Sequence, residues 1–155
     1  ESKIENSSFV RVDSDSIDKL IKQEVEVESI LSDKQKDTLK PLIEESLPKE
    51  GYTVVFENLP PTSSPFSITI SEFMRRMKEM SMTGGGMMGM QNMPDSYNLV
   101  INTNHKLITK ILKTKGEGKK KLIRNAINLA LLSQNLLKGE ALTNYINGSF
   151  DNLNN

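Results

Sequence analysis

Tyr97-Asn98-Leu99-Val100-Ile101-Asn102-Thr103-Asn104-His105 runs directly into Lys106-Leu107-Ile108-Thr109-Lys110-Ile111-Leu112. The spacing of the apolar residues changes at the join. Leu99 and Ile101 recur every second residue, which predicts a strand with both side chains inward. Leu107, Ile108, Ile111 and Leu112 recur at three and four, which predicts a short helix. Asn is a good N-cap, so Asn102-Thr103-Asn104 is where the helix is expected to begin. A strand cannot stand alone, and two other stretches alternate in the same way. Tyr52, Val54 and Phe56 share one face of 52–58, and Phe66-Ser67-Ile68-Thr69-Ile70 repeats the pattern. Pro60-Pro61-Thr62-Ser63-Ser64-Pro65 reads as an exposed loop between these two. The pieces predict a small, mostly antiparallel sheet of three or four strands, hence an α+β fold.

Helices are expected on either side of the sheet residues. Ser32 and Gln35 have capping-box spacing, and Leu39, Leu42, Ile43 and Leu47 form an apolar stripe behind them. Pro41 interrupts that stripe and predicts a kink, or a helix that effectively starts near Thr38. Pro48 and Gly51 should end it. After the short helix at 107–112, Gly116 and Gly118 read as breakers. Residues 119–138 form the longest periodic segment, with Gly139 marking its end. Ala141, Leu142, Tyr145, Ile146 and Phe150 stripe a last helix, and 151–155 reads as frayed. Near the start, Ser8-Phe9-Val10-Arg11-Val12 reads as a short strand, and 13–31 as acidic and irregular or partly helical.

Composition sets the limits. The chain has 155 residues, one domain's length, and an apolar fraction of 36%, so the core should be modest. Cysteine is absent, which excludes disulfides, thiolate zinc sites and thiol nucleophiles. Twenty basic residues balance twenty acidic ones, but in blocks. Residues 1–50 hold 8 Lys/Arg against 13 Asp/Glu, whereas 102–125 hold 8 against Glu117 alone. The basic block has no aromatic interleaving, so nucleic acid is not the expected partner. No apolar run approaches the ~20 residues that span a bilayer, and no signal-peptide pattern opens the chain. No membrane partner is therefore expected, and the expected location is cytoplasmic. Because the sequence begins at Glu1, it reads as a piece of a longer protein.

All eight methionines fall within twenty residues: Met74, Met77, Met80, Met82, Met87, Met88, Met90 and Met93. The first part should be helical. Thr69 and Glu72 have capping-box spacing, Ile68 and Phe73 the spacing of a hydrophobic staple. Phe73, Met74, Met77 and Met80 then fall on one face, opposite Arg75, Arg76, Lys78 and Glu79. Such a stripe often fills a core. Here it continues into Met82-Thr83-Gly84-Gly85-Gly86-Met87-Met88-Gly89-Met90, whose glycines leave the backbone too free to fix four side chains in a packed interior. Exposed thioethers adapt to many apolar partners, which makes this segment a candidate binding surface. Copper(I) held by Met74, Met77 and Met80 is disfavoured by the lack of cysteine and the single histidine, His105. The glycines lack the Lys of a phosphate loop.

Residues 122–137 carry two apolar lines. Leu122, Ile123, Ala126, Ile127, Ala130 and Leu137 form one; Leu129, Leu132 and Leu136 form the other, with Leu131 beyond. Two lines mean contacts on two sides. The next helix can cover one. A second copy of the chain is the expected source of the other, giving a four-helix bundle about a two-fold axis. The alternative is a central helix buried within one monomer. The expected interface comprises Ile123, Ala126, Ile127, Leu129, Ala130, Leu132, Leu136, Leu142, Tyr145 and Ile146.

Catalysis finds no support. Nothing places a nucleophile near His105, for which a helix-start role is expected. Asp13, Asp15 and Asp18 lack the Gly and terminal Glu of a calcium loop. Two sequons, at Asn6 and Asn147, read as chance matches.

In order along the chain, Ser8-Phe9-Val10-Arg11-Val12-Asp13, Phe73-Met74-Arg75-Arg76-Met77-Lys78, Leu99-Val100-Ile101-Asn102-Thr103-Asn104-His105 and Ala130-Leu131-Leu132-Ser133 resemble the C-terminal domain of the Hsp90 chaperones, most of all the bacterial HtpG branch. The third stretch is similar to a strand followed by Asn-Pro-Asp-His, with Thr103 in place of Pro, a change expected to alter how the helix begins. The resemblance implies a homodimer and a client-contacting surface. On that reading 1–31 is an opening strand and acidic connection, 32–118 the client-contact region, and 119–155 the dimerisation helices. Phe73, Met74, Met77, Met80, Met82, Met87, Met88 and Met90 would touch non-native clients. No cofactor is expected in this piece, since the family's ATPase, with ATP and Mg, lies in a separate N-terminal domain. The tail Asp151-Asn152-Leu153-Asn154-Asn155 is not the Met-Glu-Glu-Val-Asp ending that tetratricopeptide co-chaperones dock on. Two alternatives are a Met-rich signal-peptide-binding domain of a targeting particle, which would be all-helical, and a purely structural dimerisation module.

Overall fold

The computed structural model describes residues 3–4, 7–8, 28–48, 51–70, 74, 76–77, 80 and 96–153. A two-residue antiparallel pair, β1 (Lys3–Ile4) with β2 (Ser7–Ser8), stands at the start. The expected strand at 8–12 and the acidic connection up to 27 otherwise lie outside the described residues. The remaining elements are α1 (Asp33–Ser46), β3 (Tyr52–Glu57), β4 (Phe66–Ile70), β5 (Tyr97–Asn102), α2 (Lys106–Lys113), α3 (Gly116–Ser133) and α4 (Gly139–Leu153).

The three strands form one sheet in the order β3-β5-β4. The strand that comes last in sequence is central. It pairs parallel with β3 and antiparallel with β4. The sheet is thus mixed, not mostly antiparallel. β3 and β4 are separated by the width of a strand, because the Pro-rich loop that joins them carries the chain across β5. Register lines up three apolar rows: Tyr52–Tyr97–Ile70, Val54–Leu99–Ile68 and Phe56–Ile101–Phe66. The Tyr52 and Tyr97 rings stack at 5.5 Å. Leu99 and Ile101 are inward, as expected. Val100, on the opposite face, is buried too, as a strand covered on both sides requires.

α1 packs on β3, α3 on β4, and α1 on α3, while α2 rests on α3. Leu39 and Ile43 of α1, Ile108 and Ile111 of α2, and Ile123 and Ile127 of α3 meet Leu99 and Ile101 in one cluster. Each such side chain contributes about 1.5–3 kcal/mol on burial. α1 begins as its capping box predicts, with Ser32 N–H donating to Gln35 Oε1 at 2.9 Å. It continues through Pro41 rather than starting at Thr38. Pro41 lies on the exposed side, so the carbonyl it leaves without an intrahelical partner can be hydrated. At the far end of α1, Glu45 meets Lys120 of α3 at 3.4 Å. The acidic and basic blocks touch there, in an exposed pair worth at most about 1 kcal/mol.

The glycine boundaries match the sequence reading only in part. Gly116 and Gly118 do follow the break after α2, which ends at Lys113, but they also open α3, with Gly116 at φ +58°. Gly139 opens α4 at φ +59° instead of closing α3. A left-handed residue turns the chain between two helix axes, and glycine takes it without cost. α3 ends at Ser133, and the left-handed residue that follows its cap is Asn135, φ +57°. Leu136 N–H donates to Leu131 O at 2.9 Å and Asn135 N–H to Leu132 O at 3.0 Å, the two bonds of a Schellman motif with Asn at its left-handed position. α4 then runs to Leu153, through part of the stretch expected to fray.

Where β5 ends and the chain turns toward α2, three consecutive polar residues, Asn102, Thr103 and Asn104, are buried. Buried polar groups must find partners, and these find them in the Pro-rich loop. Asn102 Nδ2 donates to Pro60 O at 2.8 Å, Thr103 Oγ1 to Asn58 Oδ1 at 2.9 Å, and Asn104 Nδ2 to Leu59 O at 3.2 Å. Thr103 N–H donates to Glu57 O at 2.9 Å, a bond that Pro at this position could not make. α2 starts one step later, on His105, whose Nδ1 accepts Leu107 N–H at 3.0 Å. The cap is therefore His105, the residue expected to have a helix-start role, rather than an Asn, and Thr103 fastens the loop through both its N–H and its hydroxyl. The loop is exposed at Pro61, Thr62 and Ser64, as expected, and is pinned at its start, where Leu59 is buried.

Candidate functional site

Two surfaces carry the candidate residues. On the first, Met74, Arg76, Met77 and Met80 are helical. Thr69, read as their cap, lies inside β4 opposite Asn98. Met74 is 7% exposed, Met77 half-buried and Met80 62% exposed. The gradient follows from helix geometry. Each three-residue step falls about 60° short of a full number of turns at 3.6 residues per turn. A stripe at 74, 77 and 80 therefore winds out of the interior instead of holding one face. Met74 is buried yet stands apart from the main cluster around Leu99. Phe73, Met82, Met87, Met88 and Met90 lie outside the described residues.

On the second surface, the ten residues of the expected interface divide by depth. Ile123, Ala126, Ile127 and Ala130 are buried within the chain itself. Their line on α3 faces α1 and β4, so it is the monomer core that covers it. Leu136, Leu142 and Tyr145 are half-buried against that core. Leu129 and Leu132 on α3 are 56% and 39% exposed, and Ile146 on α4 is 43% exposed. Phe150, one turn beyond Ile146 and 61% exposed, belongs with these although it was not among the ten. Its place in the α4 stripe was the available signal.

α4 does not close over α3. A cleft of about 910 Å³ lies between them, lined by Arg124, Asn125 and Asn128 of α3 and by Asn144, Tyr145 and Ser149 of α4. Ile146 and Phe150 do not line it.

Reactive chemistry is sparse. Among the described residues no three His, Asp or Glu side chains are grouped so as to hold a metal ion. None of the described helices is long and apolar enough to cross a membrane. Burial pushes the Tyr52 phenol above its ordinary pKa. Tyr52 sits at the start of β3, far along the strand from the polar corner.

No protein-family model matches the chain. Curated relatives do. A chaperone protein HtpG from Porphyromonas gingivalis is 46% identical over 121 residues, covering 76% of this chain and 18% of the relative. Chaperone proteins HtpG from Bacteroides fragilis and Bacteroides thetaiotaomicron are each 32% identical over 219 residues, covering 97% of this chain and 32% of the relative. The matches fall in the C-terminal part of these proteins. An α+β segment of a bacterial chaperone is the class so defined. The chain belongs to the HtpG branch of the Hsp90 chaperones and spans less than a third of the length of the relatives it matches. Because 219 aligned positions exceed the chain's 155 residues, the Bacteroides relatives carry residues within the matched stretch that this chain lacks.

Proposed function

We propose that this chain is the homodimerising and client-contacting part of an ATP-dependent HtpG chaperone that assists the folding of non-native proteins in the cytoplasm. The observation that carries the reading is the uncovered apolar side chains of Leu129, Leu132, Ile146 and Phe150. Two copies related by a two-fold axis would bury them against one another, completing a bundle from two α3–α4 pairs. The proposed interface is narrower than the one read from sequence, because Ile123, Ala126, Ile127 and Ala130 are already used by the core. The nucleotide chemistry, with ATP and Mg, is proposed to lie in parts of the chaperone that this chain does not match, and no cofactor is assigned to this piece. No tetratricopeptide docking is assigned to its tail.

The client surface is proposed to be the emerging Met stripe from Met77 onward, together with the Met/Gly-rich segment that follows. Met80 supports this by its exposure. A thioether on an unbranched stem can re-pack against clients of different shape. An all-helical targeting-particle domain is disfavoured by the three-stranded sheet, and a purely structural module by the chaperone relatives.

Sedimentation of Leu129→Asp tests the dimer. The variant should be monomeric and still fold, because Leu129 is exposed and is not among the residues packed on the core cluster; a dimer of unchanged affinity would refute the bundle. Replacing Met77, Met80, Met87 and Met88 with Ser should lower affinity for a chemically unfolded protein about tenfold or more, while the dimer persists. Unchanged affinity would remove the client assignment.

A further inference from the structure

We propose that Asn104 is a clasp that straps the segment leading into the domain onto the corner between β5 and α2. The two arms of its side chain hold different parts of the chain. Nδ2 donates to Leu59 O at 3.2 Å. Oδ1 accepts the backbone N–H of Ile30 at 2.9 Å, across 74 residues of sequence. Its own backbone N–H is fixed by Asn102 Oδ1 at 3.0 Å, so the side chain projects from a held position. Asn104 is 4% exposed, so losing either bond leaves part of a buried amide without a partner.

The strap itself is lightly fastened. Among the described residues Ser29 bonds within the segment, its Oγ donating to Leu31 O and accepting Leu31 N–H. Glu28 is exposed. The Ile30 side chain is 66% exposed and adds little holding. Leu31 reaches the core, and the next residue caps α1. Between Glu28 and the core, then, the hydrogen bond to Asn104 is the cross-segment tie that the described residues show. Segments held by few buried contacts open at lower free energy than the strands beneath them. A partner drawing on the chain before Ile30 therefore acts first on Asn104, and through it on the turn from which α2 starts. The device is conformational: the strap can be lifted while the sheet stays intact.

The chain carries the test directly. Hydrogen exchange is followed at Ile30 and Leu31, at the loop 58–63, and at Leu99–Ile101 in β5. Asn104→Ala removes both arms and should speed exchange at Ile30 about tenfold or more, with β5 unchanged. Asn104→Asp keeps an acceptor for Ile30 and replaces the amide donor with an oxygen facing Leu59 O. It should loosen 58–63 and leave Ile30 protected. Three results would overturn the proposal: Ile30 exchange unmoved by Asn104→Ala, exchange at Ile30 rising only in step with β5, or Asn104→Asp freeing Ile30 as fully as Asn104→Ala. If Asn104→Ala does not fold, the Asp variant alone decides between strap and loop.

Discussion

α3 and α4 are neighbours of similar length, 18 and 15 residues, yet they stand in opposite relation to the core. α3 has five buried residues, among them Ile123 and Ile127, both fully enclosed. α4 has no buried residue among those described, and Ile146 and Phe150 lie open to solvent. Both read as apolar-striped helices in the sequence. The difference shows that a stripe records only that a face needs covering. What covers it depends on whether the rest of the chain can reach, and the chain's modest apolar content is spent on α1, α2, α3 and the sheet.

The contrast can be broken most severely on the buried side. Ile127→Ala should cost about 2–4 kcal/mol in urea unfolding, since it leaves a cavity beside fully enclosed neighbours. The Leu129→Asp substitution, two residues away, should change monomer stability by no more than about 0.5 kcal/mol while abolishing association. Equal losses in the two variants would erase the distinction between core line and surface line. The junction between the helices is worth less. Asn135→Ala puts a Cβ without a compensating amide into the left-handed position and should cost about 1 kcal/mol. A neutral result would mean that the turn holds α4 only weakly in place.

The smallest effect concerns the edge of the sheet, where core grades into surface. Tyr52 has its phenol pKa raised by desolvation, so the folded state favours the neutral form. The unfolded chain then releases this proton first as pH rises. The associated stability is present below the ordinary tyrosine pKa, about 10, and is lost above it as pH passes through the raised value. Tyr52→Phe should reduce the alkaline slope of the melting temperature above pH 10 and leave neutral-pH unfolding nearly unchanged. An unaltered slope would place Tyr52 on the solvent side of the boundary.

Much of this architecture is legible in the residues. Alternation at Tyr52–Glu57, Phe66–Ile70 and Tyr97–Asn102 marks all three sheet strands, because a strand's period is a local property. Their order is not local. The Pro-rich loop shows that β3 and β4 are joined but not whether they pair, and only the placement of Tyr97–Asn102 between them makes one pairing parallel. The uninterrupted Leu99-Val100-Ile101 run was the clue to a central strand covered on both faces. Gly116 and Gly139 were read as terminators because glycine permits a left-handed turn equally well before a helix and after one. At the candidate surfaces, the apolar lines are visible in sequence but their depth is not. Ile127 and Leu129 lie on different lines of one helix, and nothing local says which line the rest of the chain covers.

The central position of β5 also dictates an order of assembly. As the chain emerges during synthesis, at roughly 5–20 residues per second, β3 and β4 appear first and have no ladder to join. Neither can complete its hydrogen bonding until Tyr97–Asn102 arrives. Closing the gap means bringing together ends separated by the whole methionine- and glycine-rich stretch, an entropic cost that grows only slowly with its length but must be met before the sheet contacts repay it. The thioethers are therefore already outside the ribosome when the scaffold that will carry them is still two unpaired edges.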